Sequence, residues 1–159
     1  MPIITSFLVS AVEQIDGRIS YTEVHTDHLG REYRFSYRVS VGADAQAIMA
    51  ARAVKLVDRL EDDERQRIAR LIETDTDPAT IVPDYLTNAE ALRVVVKTAM
   101  RLPAAEAMVV AEFINSTLSD AQLDAAFGVI IRGRIRVRVA SVLALKPDLD
   151  ADQALEEDI

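Results

Sequence analysis

The residues best suited to chemistry lie in one short run, Glu23–Val24–His25–Thr26–Asp27–His28. His25, Asp27 and His28 can bind a divalent metal, and Glu23 beside His25 can pass a proton between a base and an acid. Residues two apart on a strand share a face, so Glu23, His25 and Asp27 belong on one side, and His28 sits in the turn beyond. Against a metal, the ligands are crowded together without the spacing of a known site, and no fourth ligand is indicated. Against acid–base catalysis, the chain holds 26 acidic residues, so a carboxylate beside a histidine carries little weight. The plainer reading is that Asp27 bonds the turn backbone and that His25 packs or pairs across a hairpin. The expectation is therefore a protein with no catalytic residue, no metal and no cofactor.

Other chemistries lack their residues. The chain has no cysteine, which removes disulfides, thiolate nucleophiles and cysteine-ligated metals. Its scattered glycines never form a phosphate-binding loop, and no serine stands in a nucleophile elbow. A second cluster is basic: Arg132, Arg134, Arg136 and Arg138 alternate with Gly133, Ile135 and Val137. Guanidinium groups bind carboxylates bidentately and suit interfaces between proteins. Their partners could be an acidic neighbouring subunit, nucleic acid, or the chain's own acidic end, where Asp148, Asp150, Asp152, Glu156, Glu157 and Asp158 stand. The net charge of −8 makes duplex nucleic acid a poor default.

These clusters need elements to hold them. Tyr33, Phe35, Tyr37, Val39 and Val41 alternate with Arg34, Ser36, Arg38 and Ser40, the pattern of a strand with one buried and one wet face. Ile19 to Thr26 is also rich in strand formers. Asp16–Gly17 and Asp27–His28–Leu29–Gly30 are turn signals, and a further strand is expected near residues 4 to 14. The sum is a three-stranded antiparallel meander whose first strand has little edge protection.

Near Gly42 the period changes. Asp44 can cap a helix beginning at Ala45, with Ile48, Ala51, Val54, Lys55, Val57 and Leu60 on its mostly apolar side. A break is expected near Glu61–Asp63, because an unbroken helix would be unusually long. Pro78 and Pro83 interrupt residues 74–87, where Ile81, Val82, Tyr85 and Leu86 can anchor the loop. Thr87 with Glu90, and Ser119 with Gln122, match capping boxes, and Leu118 with Leu123 has staple spacing. The first of these helices is expected to reach about Leu102, and Pro103 to open another that runs from Ala104 to Thr117. Residues 129–139 fit either a strand or a helix whose stripe is Ile131, Ile135, Val139, Val142 and Leu143. Pro147 should end that element. No stretch approaches the length of about 20 apolar residues that a membrane span needs. The start, MPIITSFLVSAVEQ, lacks a basic region and reads as mature protein rather than as a secretory signal.

One family likeness lies at the hairpin. The DGR turn at Asp16–Gly17–Arg18, the E-x-H-T-D stretch from Glu23 to Asp27 and the G-x-x-Y strand from Gly30 to Tyr33 precede an alanine-rich helix. This order resembles small structural proteins encoded among the tail and neck genes of tailed bacteriophages, over residues 12 to 60. The resemblance implies a virion component, present in several copies around the phage axis and assembled in the host cytoplasm, whose activity is assembly.

The resulting expectation is an α+β protein: a β-meander over residues 1–42, a helical domain over 43–146 and an acidic tail over 147–159. Its function would be non-enzymatic assembly in a tail, baseplate or neck, as a homo-oligomer or ring with other virion proteins and without a membrane. The candidate interface residues are Tyr33, Phe35, Tyr37, Arg132, Arg134, Arg136 and Arg138. The alternatives are a cytoplasmic protein-binding or regulatory module with an exposed apolar groove, and a small metal-dependent enzyme centred on Glu23, His25, Asp27 and His28.

Overall fold

A computed structural model describes residues 4–148. Three strands come first: β1 (Thr5–Glu13), β2 (Arg18–Thr26) and β3 (Glu32–Ser40). Five helices follow: α1 (Ala45–Glu73), α2 (Asn88–Ala99), α3 (Met108–Thr117), α4 (Asp120–Phe127) and α5 (Val129–Leu143), with a 3-10 turn at Pro78–Thr80. The class is α+β, with the strands N-terminal to the helices. The chain divides into two compact units inside α1, between Asp62 and Asp63. The expected acidic tail lies, from residue 149 onward, outside the described residues.

The first unit holds the sheet, an antiparallel meander in the order β1-β2-β3. Gly17 and Gly30, at φ +73° and +80°, make its two turns, where a side chain would strain the backbone. The β2–β3 register sets Tyr21 against Tyr37, Glu23 against Phe35 and His25 against Tyr33, so all six share one face. Burial along β3 alternates as the sequence predicts, apart from Val41, which lies beyond the strand and is exposed. Ser6 pairs with His25 and Leu8 with Glu23, and then a bulge inserts Val9 before Ser10.

Asp44 caps α1 through its side chain, which accepts from the Ala47 N–H. The expected break at Glu61–Asp63 does not occur, and α1 runs 29 residues. The glutamates and arginines of this run are good helix formers, and no glycine or proline interrupts it. Buried positions also recur every four residues, at Leu56, Leu60, Glu64, Ile68 and Ile72. Val54 is exposed, so the buried side of this stretch centres on Leu56 and Leu60.

The second unit packs around Ile68, Ile72, Val95, Val96, Val110, Ile114, Leu123, Ile135, Val139 and Val142. Both capping boxes form, Thr87 with Glu90 and Ser119 with Gln122. Leu118 and Leu123 are buried in the same core, as the staple spacing anticipates. In the loop before α2, Tyr85 and Leu86 are buried while Val82 is exposed. Two helix boundaries differ from expectation. α2 ends at Ala99, because the chain tightens through bonds from the Arg101 N–H to Thr98 and the Leu102 N–H to Ala99. Pro103 has no N–H to continue the ladder, and a turn over residues 104–107 delays α3 to Met108. Residues 129–139 are helical, within α5, which ends at Leu143, before Pro147.

Candidate functional site

β2 carries the polar centre of the first unit. Glu23 and His25 are fully buried, and Asp27 is nearly so. His25 bridges two strands: its Nδ1 lies 2.7 Å from Ser6 Oγ and its Nε2 2.9 Å from Glu23 Oε1. A carboxylate only accepts, so Nε2–H donates to Glu23, and in the neutral ring Nδ1 accepts from the Ser6 hydroxyl. Arg52, from α1, brings its Nε to 2.6 Å from the same Glu23 oxygen. That approach is an ion pair rather than an aligned hydrogen bond, since the Arg52 Nε–H points off line. The Arg52 guanidinium also caps the rings of Phe35 and Tyr37, at 5.3 and 4.5 Å from their centroids. His25 meets the Phe35 ring edge-on, and Tyr21 stacks in a tilted pair on Tyr37.

Glu23 Oε2 and the Tyr37 hydroxyl are buried without aligned hydrogen bonds. Burial first, and then the neighbouring Glu23 carboxylate, pushes the Tyr37 pKa up to about 12. Asp27 belongs to the turn. Its Oδ1 accepts from the Leu29 and Arg31 N–H groups, and its Oδ2 from the Tyr33 hydroxyl. His28 is exposed, and among the described residues no group of three or more metal-binding side chains comes together.

Ser6, His25 and Glu23 have the hydrogen-bond connectivity of a hydrolase triad. A nucleophile needs a cavity for its substrate, and His25 has no exposed surface. The prominent cavities, of about 570, 370 and 580 Å³, are all lined by residues of the helical unit. What the arrangement does visibly is tie β1 to β2 and anchor α1 over the aromatic face.

The sheet leaves both outer strands without a further strand among the described residues. β1 exposes Phe7, Leu8, Val9 and Val12, each to between 43 and 54 %. β3 instead shows Arg34 and Arg38 on its wet face, while Tyr33, Phe35 and Tyr37 are half-buried against the polar centre. Of the sequence-derived interface set, these three aromatics thus serve the interior of their own unit.

Three of the four arginines also work inside their unit. Arg132 pairs with Asp120 and Asp124, and Arg136 with Asp120. Arg136 further donates to the Ile114 and Leu118 carbonyls at the end of α3, and Arg138 to the Leu102 carbonyl. Arg93 does the same for α4, donating from Nε to the Ala126 carbonyl. At the ends of α3 and α4, Arg136 and Arg93 give donors to the Leu118 and Ala126 carbonyls and complement the helix dipoles there, while the Ile114 carbonyl also accepts from the Leu118 N–H. Arg134 alone of the four points outward, with no hydrogen bond or ion pair among the described residues.

An apolar groove of about 570 Å³ opens between the 3-10 turn, α2, α3 and α4, lined by Pro78, Ile81, Pro83, Leu92, Phe113 and Leu118 among others. A second, shallower one of about 580 Å³ lies on the outer face of α5. Scans against protein-family models, curated proteins and solved structures each return no match. Sequence reasoning missed Ser6 and Arg52 as members of the polar centre. The strand alternation that sets Glu23 beside His25 was readable, but the cross-strand register was not.

Proposed function

We propose that this protein is a non-enzymatic assembly subunit, built to join further copies of itself through its sheet and to serve in a tailed-phage virion at the tail, baseplate or neck. The observation that carries the assembly reading is β1: an edge strand with open backbone groups and four large exposed apolar side chains. Such an edge is a template for another strand and a hazard if left bare. The two open edges also differ, β1 being apolar and β3 carrying Arg34 and Arg38. Pairing β1 of one copy with β3 of the next is head-to-tail, a geometry that closes into a ring when the rotation between copies divides a full turn. The virion setting rests on the resemblance in residues 12 to 60.

Light scattering on the purified chain tests this reading. The expected result is a closed oligomer that Val9→Lys reduces to a monomer with an unchanged circular dichroism spectrum. A strictly monomeric wild type that also binds no neighbouring virion protein would overturn it. A second reading, a protein- or peptide-binding module, is favoured by the apolar groove at Leu92 and Phe113. There Leu92→Arg would abolish binding while leaving oligomerisation intact.

A further inference from the structure

The helical unit carries a basic cleft in a chain whose net charge is −8. The cleft measures about 370 Å³, and its lining sets four cations, Arg65, Arg93, Lys97 and Arg101, against one carboxylate, Glu90. Glu90 is already engaged, because its Oε2 accepts from the N–H and the hydroxyl of Thr87. Arg93 is held in place by the bond from its Nε to the Ala126 carbonyl, which leaves the two terminal nitrogens of its guanidinium as donors. Lys97 and Arg101 are exposed, and neither side chain makes a hydrogen bond or ion pair among the described residues. They differ in this from Arg132, Arg136 and Arg138 of α5, which all have partners inside the unit.

Arg93, Lys97 and Arg101 stand four residues apart along α2 and the tight turn that ends it. A cation in the last turn complements the helix dipole, which accounts for Lys97 but not for a row. Like charges one helical turn apart repel and weaken a helix, so an anion laid along the row removes a cost that the lone chain carries. The helical rise sets these cations roughly 6 Å apart. Alternate side chains of an extended strand share a face at about 6.6 to 6.8 Å, so carboxylates at every second position match the row. Guanidinium groups also bind carboxylates bidentately. A long nucleic acid would meet the acidic remainder of the molecule as well. A short segment feels mainly the cleft, since screening confines charge effects to about 8 Å at physiological salt. We propose that this cleft binds an extended acidic segment of a partner protein, its alternate carboxylates on Arg93, Lys97 and Arg101, with Arg65 adding a fourth cation from α1.

Titrating the full chain with a short synthetic peptide that alternates glutamate with serine tests this. The expected result is a saturating shift of the amide signals of residues 93–101, absent with the matching glutamine peptide. Lys97→Glu should weaken binding about tenfold, the worth of roughly one charge-assisted hydrogen bond. That variant keeps its helix, because a glutamate between Arg93 and Arg101 pairs with both at helical spacing. Arg134→Glu makes the same change in net charge on α5 and should leave the affinity as it was. No shift at residues 93–101 would overturn the proposal, as would equal losses in the two variants, which would reduce the effect to bulk charge. Tighter binding of a single-stranded oligonucleotide at the same residues would overturn it in favour of nucleic acid. Inorganic phosphate binding as tightly as the peptide would overturn it in favour of a compact anion.

Discussion

Glu23 concentrates the electrostatics of the first unit, since His25 and Arg52 both converge on its Oε1. Removing one member of a buried ionic group strands the others, at a cost of about 3 kcal/mol or more. Glu23→Ala should lower stability by that order in urea denaturation, while Ser6→Ala should cost only about 1 kcal/mol, the net worth of one hydrogen bond. Tyr37 gives a pH signature. Its folded pKa, pushed up to about 12, exceeds that of a free tyrosine near 10, so the fold favours the protonated phenol. That contribution is complete below pH 10 and is lost as pH rises towards 12. Stability measured across this window should fall in the wild type and stay flatter in Tyr37→Phe. Glu90 has the opposite sign. The hydrogen bonds from Thr87 hold its carboxyl below the usual glutamate range, so its contribution is present at neutral pH and lost on acidification.

Among the elements, α5 shows best what a sequence hides. Its alternating arginines also fit a strand, and local pattern alone leaned to a helix without deciding. The deciding partners, Asp120 and Asp124, lie 8 to 16 residues away, and Arg132 and Arg136 reach Asp120 together because they stand one helical turn apart. Arg136→Met should therefore cost about 1–3 kcal/mol, seen as a lower melting temperature, by removing the donor to the Leu118 carbonyl and the ion pair with Asp120. The capping boxes and the β3 alternation were legible because all their information is local. The uninterrupted α1 was not. Glu64 sits just past the expected break, and it is buried with its carboxylate accepting from the Asp84 and Tyr85 N–H groups some 20 residues on. Arg67 adds an ion pair to the same carboxylate. A charged residue in the middle of an acidic run gives no sign that it serves a distant loop.

At the scale of the whole molecule, the net charge of −8 sets how assembly responds to salt. Copies that meet edge to edge repel one another, and salt screens this repulsion, so oligomerisation should strengthen as ionic strength rises. Sedimentation followed across a salt series should show the larger species gaining at higher ionic strength. The bulge at Val9 then acquires a geometric meaning. A uniform apolar strand can slide by two residues against a neighbour at little cost, and each slip would tilt the next copy. A strand with one irregular step accepts a neighbour in a single setting. Repeated around an axis, that setting decides whether the last copy returns to meet the first or climbs past it as a spiral.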